Sequence, residues 1–241
     1  TRPRRFGKTI GMSMLSSFFD IRKDSRELFE GLNVAEDTSL CQEWMNQWPT
    51  IFLTFKKVDG LNFDSAYEML ASVMADLFNE HSYLLQDERI SAYDREMLER
   101  IMNASASMTE LKNSLSLMTR VMQIHYGKSV ILLLDEYDVP VAKANQNGYY
   151  DEMLDLMKGL MQALKDNSAL RFAVITGCLK IAKESIFTGT NNFVSDTIVT
   201  SGLNEYFGFT QTDMEKLLKD FQMEIQFLQL LKLEHLLLLE F

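Results

Sequence analysis

The chain has 241 residues, of which 46% are hydrophobic and 24% are charged, as in ordinary globular proteins. This length is enough to build one sizeable hydrophobic core, with room for a small second lobe. The net charge of -10 excludes a protein that binds nucleic acid or membranes over its whole surface, so any such contact has to be local.

Hydrophobic spacing predicts helices and strands in alternation. Helical periodicity predicts helices at 10–19, 63–79, 93–103, 109–126 and 151–164, and a capping box predicts another at 210–221. Apolar runs predict strands at 51–55, 129–134 and 171–176, with a short final strand near 196–200. The cluster Asn145 to Gly148 predicts a loop. Alternating elements of this kind indicate an α/β fold, with a parallel sheet and helices on both faces.

Cysteine usage and hydropathy indicate the cellular location expected for the protein. The two cysteines, Cys41 and Cys178, have neither metal-ligand nor Cys-x-x-Cys spacing, which indicates a reduced, cytoplasmic location. No signal peptide is visible, and the leucine-rich segment 227–241 is interrupted by charged residues such as Lys232 and Glu234. That segment is too short and too charged to span a bilayer, so we expect no membrane partner.

Two adjacent carboxylates, Asp135 and Glu136, follow the aliphatic run 130–134. An apolar run without polar alternation is typical of a strand buried on both faces of a parallel sheet. The carboxyl end of such a strand is where open α/β sheets bind ligands. We therefore predict that Asp135 contacts magnesium and that Glu136 orients and activates an attacking water. The alternative is a pair of solvated loop carboxylates after a buried strand.

The N-terminal segment ends in Gly7-Lys8-Thr9, the close of a phosphate-binding loop G-x-x-x-x-G-K-[ST]. Gly7 allows the backbone to approach a phosphate, and the amides that open the next helix point at the anion. Lys8 is predicted to reach the β and γ phosphates, and the Thr9 hydroxyl to hold magnesium. Arg5 and Phe6 complete the predicted cofactor-binding residues, and the expected cofactors are ATP and Mg²⁺.

The match to the phosphate-loop pattern is partial, because Arg2 stands where the first glycine belongs. The alternative is a basic arm from Arg2 to Lys8 that binds DNA. A basic arm does not require a glycine followed by Lys-Thr and an apolar helix. Salt-dependent DNA binding that survives Lys8→Ala would favour the arm, because a diffuse basic patch tolerates the loss of one charge.

Polar residues after the strand 171–176 form a second group of candidates. Thr176 stands where this architecture places a residue that senses the γ phosphate, and an ordinary strand-end threonine is the alternative. Lys180 and Lys183 are near enough in sequence to contact phosphate, although a solvated helix face explains them as well. Asp138 is predicted to be structural, capping a turn. The three histidines are scattered and form no metal or triad pattern.

Six segments together resemble the bacterial AAA-ATPase-like family, whose members often carry a PD-(D/E)XK nuclease-superfamily domain after the ATPase. The segments are TRPRRFGKT, MSML with its aromatic helix, LLLDEYDVP, ITG, IAKESIFTG and EYFGFT. The resemblance extends from Thr1 to about Phe221. In this family the loop also tends to read RPRRFGKT, so Arg2 at the first-glycine position is not peculiar to this chain.

The resemblance implies a P-loop NTPase fold of the additional-strand (AAA/ASCE-like) type. It also implies roles for five residues: phosphate and magnesium binding by Lys8 and Thr9, magnesium binding by Asp135, catalysis by Glu136 and a sensor-like role for Thr176. Family members often have arginine where this chain has Lys180. Lysine lacks the fork geometry of arginine, which argues against Lys180 acting as an arginine finger.

The domain organisation expected is one ATPase-like domain at 1–221 and a divergent or truncated tail at 222–241, where the family usually continues with a Tyr- and Gly-containing segment. The chain begins at Thr1 inside a motif that a strand normally precedes, so we expect a fragment without its first strand. No nuclease signature is visible, so a nuclease-type domain and DNA are only potential partners of a longer protein.

The function predicted is Mg-dependent ATP hydrolysis, coupled to a conformational change in a partner or fused domain, and this coupling rests on the family resemblance. The alternatives are a nucleotide-binding switch without turnover, a nucleic-acid-binding module and a nonfunctional fragment. Measuring both ATP turnover and ATP affinity distinguishes the enzyme from the switch, because the switch binds ATP without hydrolysing it. No pattern in the sequence specifies a base preference or an oligomeric state.

Overall fold

The computed structural model describes residues 7–178 and five later positions, 194, 212, 215, 216 and 219. The predicted helix at 210–221 is described at four of these positions, and all four are helical. The predicted strand near 196–200 and the tail 222–241 lie outside the described residues. So do five residues with predicted contacts: Arg2, Arg5, Phe6, Lys180 and Lys183.

Helices and strands alternate along the described part of the chain. The helices are α1 Lys8–Phe19, α2 Arg26–Phe29, α3 Asn33–Glu36, α4 Thr38–Trp44, α5 Phe63–Glu80, α6 Ala92–Met102, α7 Met108–Tyr126, α8 Val139–Asn147 and α9 Tyr150–Leu160. The strands are β1 Thr50–Thr54, β2 Val130–Asp135 and β3 Leu170–Ile175, and short 3-10 turns occupy Ser82–Gln86 and Met161–Leu164. Among the described residues, no helix combines the length and apolarity that a membrane crossing requires.

The three described strands form one parallel sheet in the order β1-β2-β3. Each lies within one residue of its predicted bounds, so the prediction of a parallel α/β sheet is confirmed. Strand β2 is central and all six of its residues are buried. Thr54 pairs with Asp135, and Leu134 pairs with Ile175, so the three strands end at the same edge of the sheet.

Side chains of β2 alternate between two hydrophobic cores, which is why the strand is apolar at every position before Asp135. Leu132 and Leu134 face a large core formed with α5, α7 and α9. Ile131 and Leu133 face a smaller core with Met12 of α1. Helices therefore cover both faces of the sheet, as the sequence predicted.

The long helices have specific ends that set where the strands begin. Helix α7 opens with a reciprocal capping box between Ser107 and Glu110. It ends at Gly127, whose φ of 65° gives the left-handed conformation that glycine tolerates best. Three residues later the chain enters β2 at Val130.

Two predicted boundaries are wrong. The segment Asn145 to Gly148 is not a loop, because α8 extends to Asn147 and Gly148 ends it with a φ of 84°. The predicted helix 151–164 is an α-helix only to Leu160 and then tightens into a 3-10 turn. The buried methionines of this segment are packing residues, as predicted.

Both tryptophans of the chain lie in one aromatic stack beside the sheet. The rings of Trp44 and Trp48 stack with centroids 5.2 Å apart. Phe19, the last residue of α1, packs 5.9 Å from the Trp44 centroid, and Phe172 of β3 packs 6.0 Å from it. The Arg171 guanidinium lies within 5.6 Å of both indoles. The stack therefore ties the carboxyl end of α1 to β3.

A charged cluster joins the carboxyl end of α7 to the loop before α6. Asp87 accepts hydrogen bonds from Arg89 Nε at 2.8 Å and from His125 Nδ1 at 2.7 Å. Arg89 also donates to the His125 carbonyl at 2.9 Å. Hydrogen bonding to Arg89, and then to His125, holds the pKa of the Asp87 carboxyl far below its usual value.

Asp87→Asn is expected to lower the free energy of unfolding at pH 7, because the amide loses the charge that Arg89 and His125 bind. The folded pKa of Asp87 lies below its unfolded value, so this stabilisation is present above an ordinary Asp pKa of about 4 and is lost as the pH falls through the folded pKa. Urea unfolding at roughly pH 7 and pH 3 measures the difference from wild type, which should shrink at the lower pH. Asp76→Asn, at an exposed position of α5, is the matched control. A constant difference for Asp87→Asn would contradict the prediction.

Candidate functional site

The candidate site lies where the carboxyl ends of the strands meet the amino end of α1. Asp135 is the last residue of the central strand and is 0% exposed. Its Oδ1 accepts a hydrogen bond from the Thr176 hydroxyl at 2.6 Å. Its Oδ2 accepts one from the Thr9 hydroxyl at 2.9 Å, and the Thr54 hydroxyl lies 3.5 Å from the same oxygen. Three elements around β2 thus each present a threonine to one carboxylate.

Helix α1 begins at Lys8, directly after Gly7. Gly7 has a φ of 74°, in the left-handed region, and none of the described residues lies within 4 Å of where its side chain would begin. The requirement for glycine here is therefore conformational rather than steric. The first turn of α1 contains no acidic residue. Its amide groups and helix dipole therefore favour an anion at this end of the helix.

Lys8 is held at the site although it is only 5% exposed. Its Nζ donates to Cys178 Sγ at 3.2 Å. Glu136 Oε1 lies 3.9 Å from the same nitrogen. A buried ammonium needs partners of this kind, since burial without them is strongly unfavourable. The charge of Lys8 is consequently directed toward the residues that follow β2 and β3.

Glu136 has a φ of 55°, the left-handed conformation that non-glycine residues rarely adopt. Such a backbone costs of the order of 1–3 kcal/mol and persists where the surroundings impose it. Here the next residue is fixed, because Tyr137 N donates to the Thr176 carbonyl at 3.2 Å. Val139 N then closes the turn by donating to the Glu136 carbonyl at 3.1 Å. The Glu136 side chain stays 18% exposed, so it is partly accessible from solvent.

Thr176 follows β3 and is fixed through both its backbone and its side chain. Its amide donates to the Leu134 carbonyl at 2.8 Å, which extends the β2–β3 pairing beyond the strand. Its hydroxyl bonds Asp135, as described above. The structure thus brings together six of the predicted site residues, which are Gly7, Lys8, Thr9, Asp135, Glu136 and Thr176. Arg5 and Phe6 lie outside the described residues.

Three neighbours of the site have contacts that the sequence reasoning missed. Thr54 ends β1 beside Asp135, and a polar residue at the end of an adjacent strand was the signal that could have found it. Cys178 contacts Lys8, and nothing in the sequence links these two positions. Asp138, predicted to be structural and to cap a turn, occupies the N-cap position of α8, but its side chain makes no capping hydrogen bond to that helix. Instead it accepts from the Cys178 amide.

The residues present fit a magnesium–nucleotide complex. Magnesium prefers oxygen ligands and is commonly held by one or two protein groups together with phosphate oxygens and water. The Thr9 hydroxyl and the Asp135 carboxylate lie 2.9 Å apart and supply oxygens of this kind. Lys8 and the amino end of α1 supply the positive charge and N–H donors that phosphates require. No group of three or more His, Cys, Asp or Glu side chains that would suit a fully protein-built metal cage occurs among the described residues.

Comparison with known proteins agrees with this architecture. A family model described as "Predicted AAA-ATPase" matches residues 1–187, which is more than half of the chain. The chain belongs to this AAA-ATPase-like family, and its parallel sheet flanked by helices is that of a P-loop NTPase-like fold. Membership supports nucleotide binding at a general level.

A relative from Azotobacter chroococcum mcd 1, named "Uncharacterized protein in vnfD 5'region", is 27% identical over 219 residues. The alignment covers 89% of this chain but 36% of that protein, so the chain spans little more than a third of this curated relative. No solved structure matches the chain significantly.

Thr176→Val is expected to lower the free energy of unfolding by about 1–3 kcal/mol, because it leaves the buried Asp135 carboxylate without one of its hydroxyl donors. Thr176→Ser keeps the hydroxyl and should remain closer to wild type. Urea unfolding of the three proteins at pH 7 measures the effect. Equal stability of the valine and serine variants would show that the hydroxyl contributes nothing.

Proposed function

We propose that this protein binds ATP with magnesium and hydrolyses the β–γ phosphate bond. The observation that carries the proposal is the convergence on Asp135. This buried carboxylate bonds Thr9 of the phosphate-loop segment and Thr176 of the neighbouring strand end, with Lys8 and Glu136 alongside. Membership of the predicted AAA-ATPase family supports the nucleotide-binding part.

The binding role falls to the amino end of α1. Gly7 turns the backbone so that the first amides of the helix face the phosphates, and Lys8 neutralises charge on the β and γ groups. Thr9 and Asp135 would hold magnesium, and Arg5 and Phe6 would flank the phosphates. When bound, magnesium supplies further positive charge to the phosphate oxygens. Lys8 exchanges its contact with Glu136 for phosphate in this scheme.

The catalytic role falls to Glu136. Its carboxylate lies 3.9 Å from the Lys8 ammonium. Once Lys8 binds phosphate, Glu136 is free to accept a hydrogen bond from a water and to remove its proton during attack. Thr176 assists from the other side of Asp135, because its hydroxyl fixes that carboxylate and lies at the end of the strand next to it. Thr176 is the proposed sensor of the γ phosphate.

Hydrolysis is further proposed to drive a conformational change in a partner or fused domain. The match covers 36% of the Azotobacter chroococcum relative, so most of that longer protein lies outside the matched part. By family resemblance, the proposed partner or fused domain is a nuclease-superfamily domain that acts on DNA. Limited proteolysis of the longer Azotobacter chroococcum relative, with ADP and with a nonhydrolysable ATP analogue, tests the coupling. Identical digestion patterns with the two nucleotides would argue against it.

Calorimetry with Mg-ATP tests the site, using wild type, Lys8→Ala and Glu136→Gln. Lys8→Ala is expected to weaken binding by about 10- to 100-fold, the usual contribution of a hydrogen bond to a charged group. Glu136→Gln should bind like wild type and lose turnover by about 10²- to 10⁴-fold, because the amide cannot accept the proton. Phosphate release measures turnover.

Matched control variants test whether these effects are specific to the site residues. Lys128→Ala removes an exposed lysine at the amino end of β2, and Glu99→Gln neutralises an exposed acid on α6. Both should retain wild-type affinity and turnover. Binding by wild type without turnover would replace the enzyme by a non-hydrolysing switch. Failure of wild type to bind Mg-ATP would refute the nucleotide site altogether.

A further inference from the structure

The turn after β2 and the turn after β3 interlock through Asp138. This residue is 2% exposed and stands at the amino end of α8. Its Oδ1 and Oδ2 accept the Cys178 amide at 3.2 and 3.1 Å. A buried carboxylate is unfavourable unless it is hydrogen-bonded. The Asp138 carboxylate bonds the turn after β3 instead of capping its own helix, so helix capping does not explain its position.

Gly177 allows the two turns to approach this closely. A side chain at this position would collide with Asp138 Oδ1 and would come within 2.7 Å of the Tyr137 ring. The Tyr137 amide meanwhile bonds the Thr176 carbonyl at 3.2 Å. Residues 137–138 and 176–178 are thus held together by one backbone hydrogen bond, a carboxylate bridge and a contact that only glycine permits.

The groups proposed for catalysis lie on the two sides of this bridge. On one side, Glu136 is the residue with the strained left-handed backbone, two positions before Asp138. On the other, Thr176 bonds Asp135, and Cys178 bonds Lys8 at 3.2 Å. If the bridge opens, the turn at 176–178 is free to withdraw from both Asp135 and Lys8. Glu136 then loses the neighbour that fixes its backbone.

We propose that Asp138 is a positioning residue of the ATPase site: its bridge to the Cys178 amide holds the Thr176 turn against the Glu136 turn in the geometry that hydrolysis requires. This inference rests on the proposed function. Asp138 does not touch the nucleotide in this scheme, so it affects turnover more than affinity. Its removal misplaces Glu136 and Thr176, whereas Gly7, Lys8 and Thr9 stay on α1.

The experiment compares wild type, Asp138→Ala, Asp138→Asn and Gly177→Ala in the full chain, with Asp76→Asn as the exposed control. Affinity for Mg-ATP is measured by calorimetry, turnover by phosphate release and the Cys178 amide by hydrogen exchange. Asp138→Ala should lower kcat by about 10- to 100-fold, the effect of a small misplacement at a reacting centre. Its Kd should stay within about 3-fold of wild type. Its Cys178 amide should exchange faster.

Two variants separate positioning from simple loss of structure. Asp138→Asn keeps one acceptor oxygen for the Cys178 amide and should recover most of the turnover. Gly177→Ala pushes the turns apart while keeping the carboxylate, so it should lower kcat as Asp138→Ala does. If Asp138→Ala does not fold, Gly177→Ala and Asp138→Asn carry the same test.

The inference is overturned if folded Asp138→Ala and Gly177→Ala turn over ATP like wild type. It is also overturned if kcat and the affinity for Mg-ATP are both lost to a similar extent in all three variants, since that is the signature of general disruption. In both cases wild-type turnover would leave the proposed function standing. Absence of any Mg-ATP binding or turnover by wild type is a different result, which refutes the proposed function and this inference with it.

Discussion

The site depends on one buried carboxylate. Removing a charged group from water is strongly unfavourable, and Asp135 is 0% exposed at the end of the central strand. What makes it tolerable is a set of hydroxyl donors from separate elements, Thr9 on α1 and Thr176 after β3, with Thr54 at the end of β1. The same bonds that satisfy the charge draw three pieces of chain to one edge of the sheet. The contacts that assemble the site are therefore also contacts of the fold.

The turn beside this carboxylate shows how the fold maintains an unfavourable local conformation. Glu136 has a left-handed backbone, and its neighbours Tyr137 and Val139 are hydrogen-bonded into the turn. Strain of this kind is expected at functional positions, where stability is traded for geometry. The surrounding bonds are numerous because β2 is central, fully buried and paired on both sides. A strand at the sheet edge would offer fewer contacts against which to hold such a turn.

The sequence predicted the strands well because each carries a strong local signal. The unbroken apolar run of β2, ending in two carboxylates, located the strand, its burial and Asp135 together. Short elements such as α2 and α3, of four residues each, are too brief to show any periodicity and were not predicted. The Asn-rich end of α8 was interpreted as a loop, since asparagine and glycine favour turns, yet Gly148 only terminates the helix.

The parts of the site that escaped prediction are those defined by contacts between distant residues. Lys8 and Cys178 lie 170 positions apart, and no pattern connects a lysine with a cysteine that far along the chain. Asp138 was judged from its nearest neighbours, where a carboxylate before a proline suggests a cap. The fold overrides that local preference, because the turn at 176–178 presents the Cys178 amide, for which Asp138 is the acceptor.

The tryptophan stack gives the protein a built-in optical reporter. The chain has two tryptophans, and both lie in the cluster that joins Phe19 of α1 to Phe172 of β3. Tryptophan emission from the unlabelled chain therefore originates from a single location, at the far end of the helix that begins at Lys8. A small tilt of α1 against the sheet would alter the stacking of these indoles with each other and with Arg171. The far end of α1 can be followed in solution without attaching a dye.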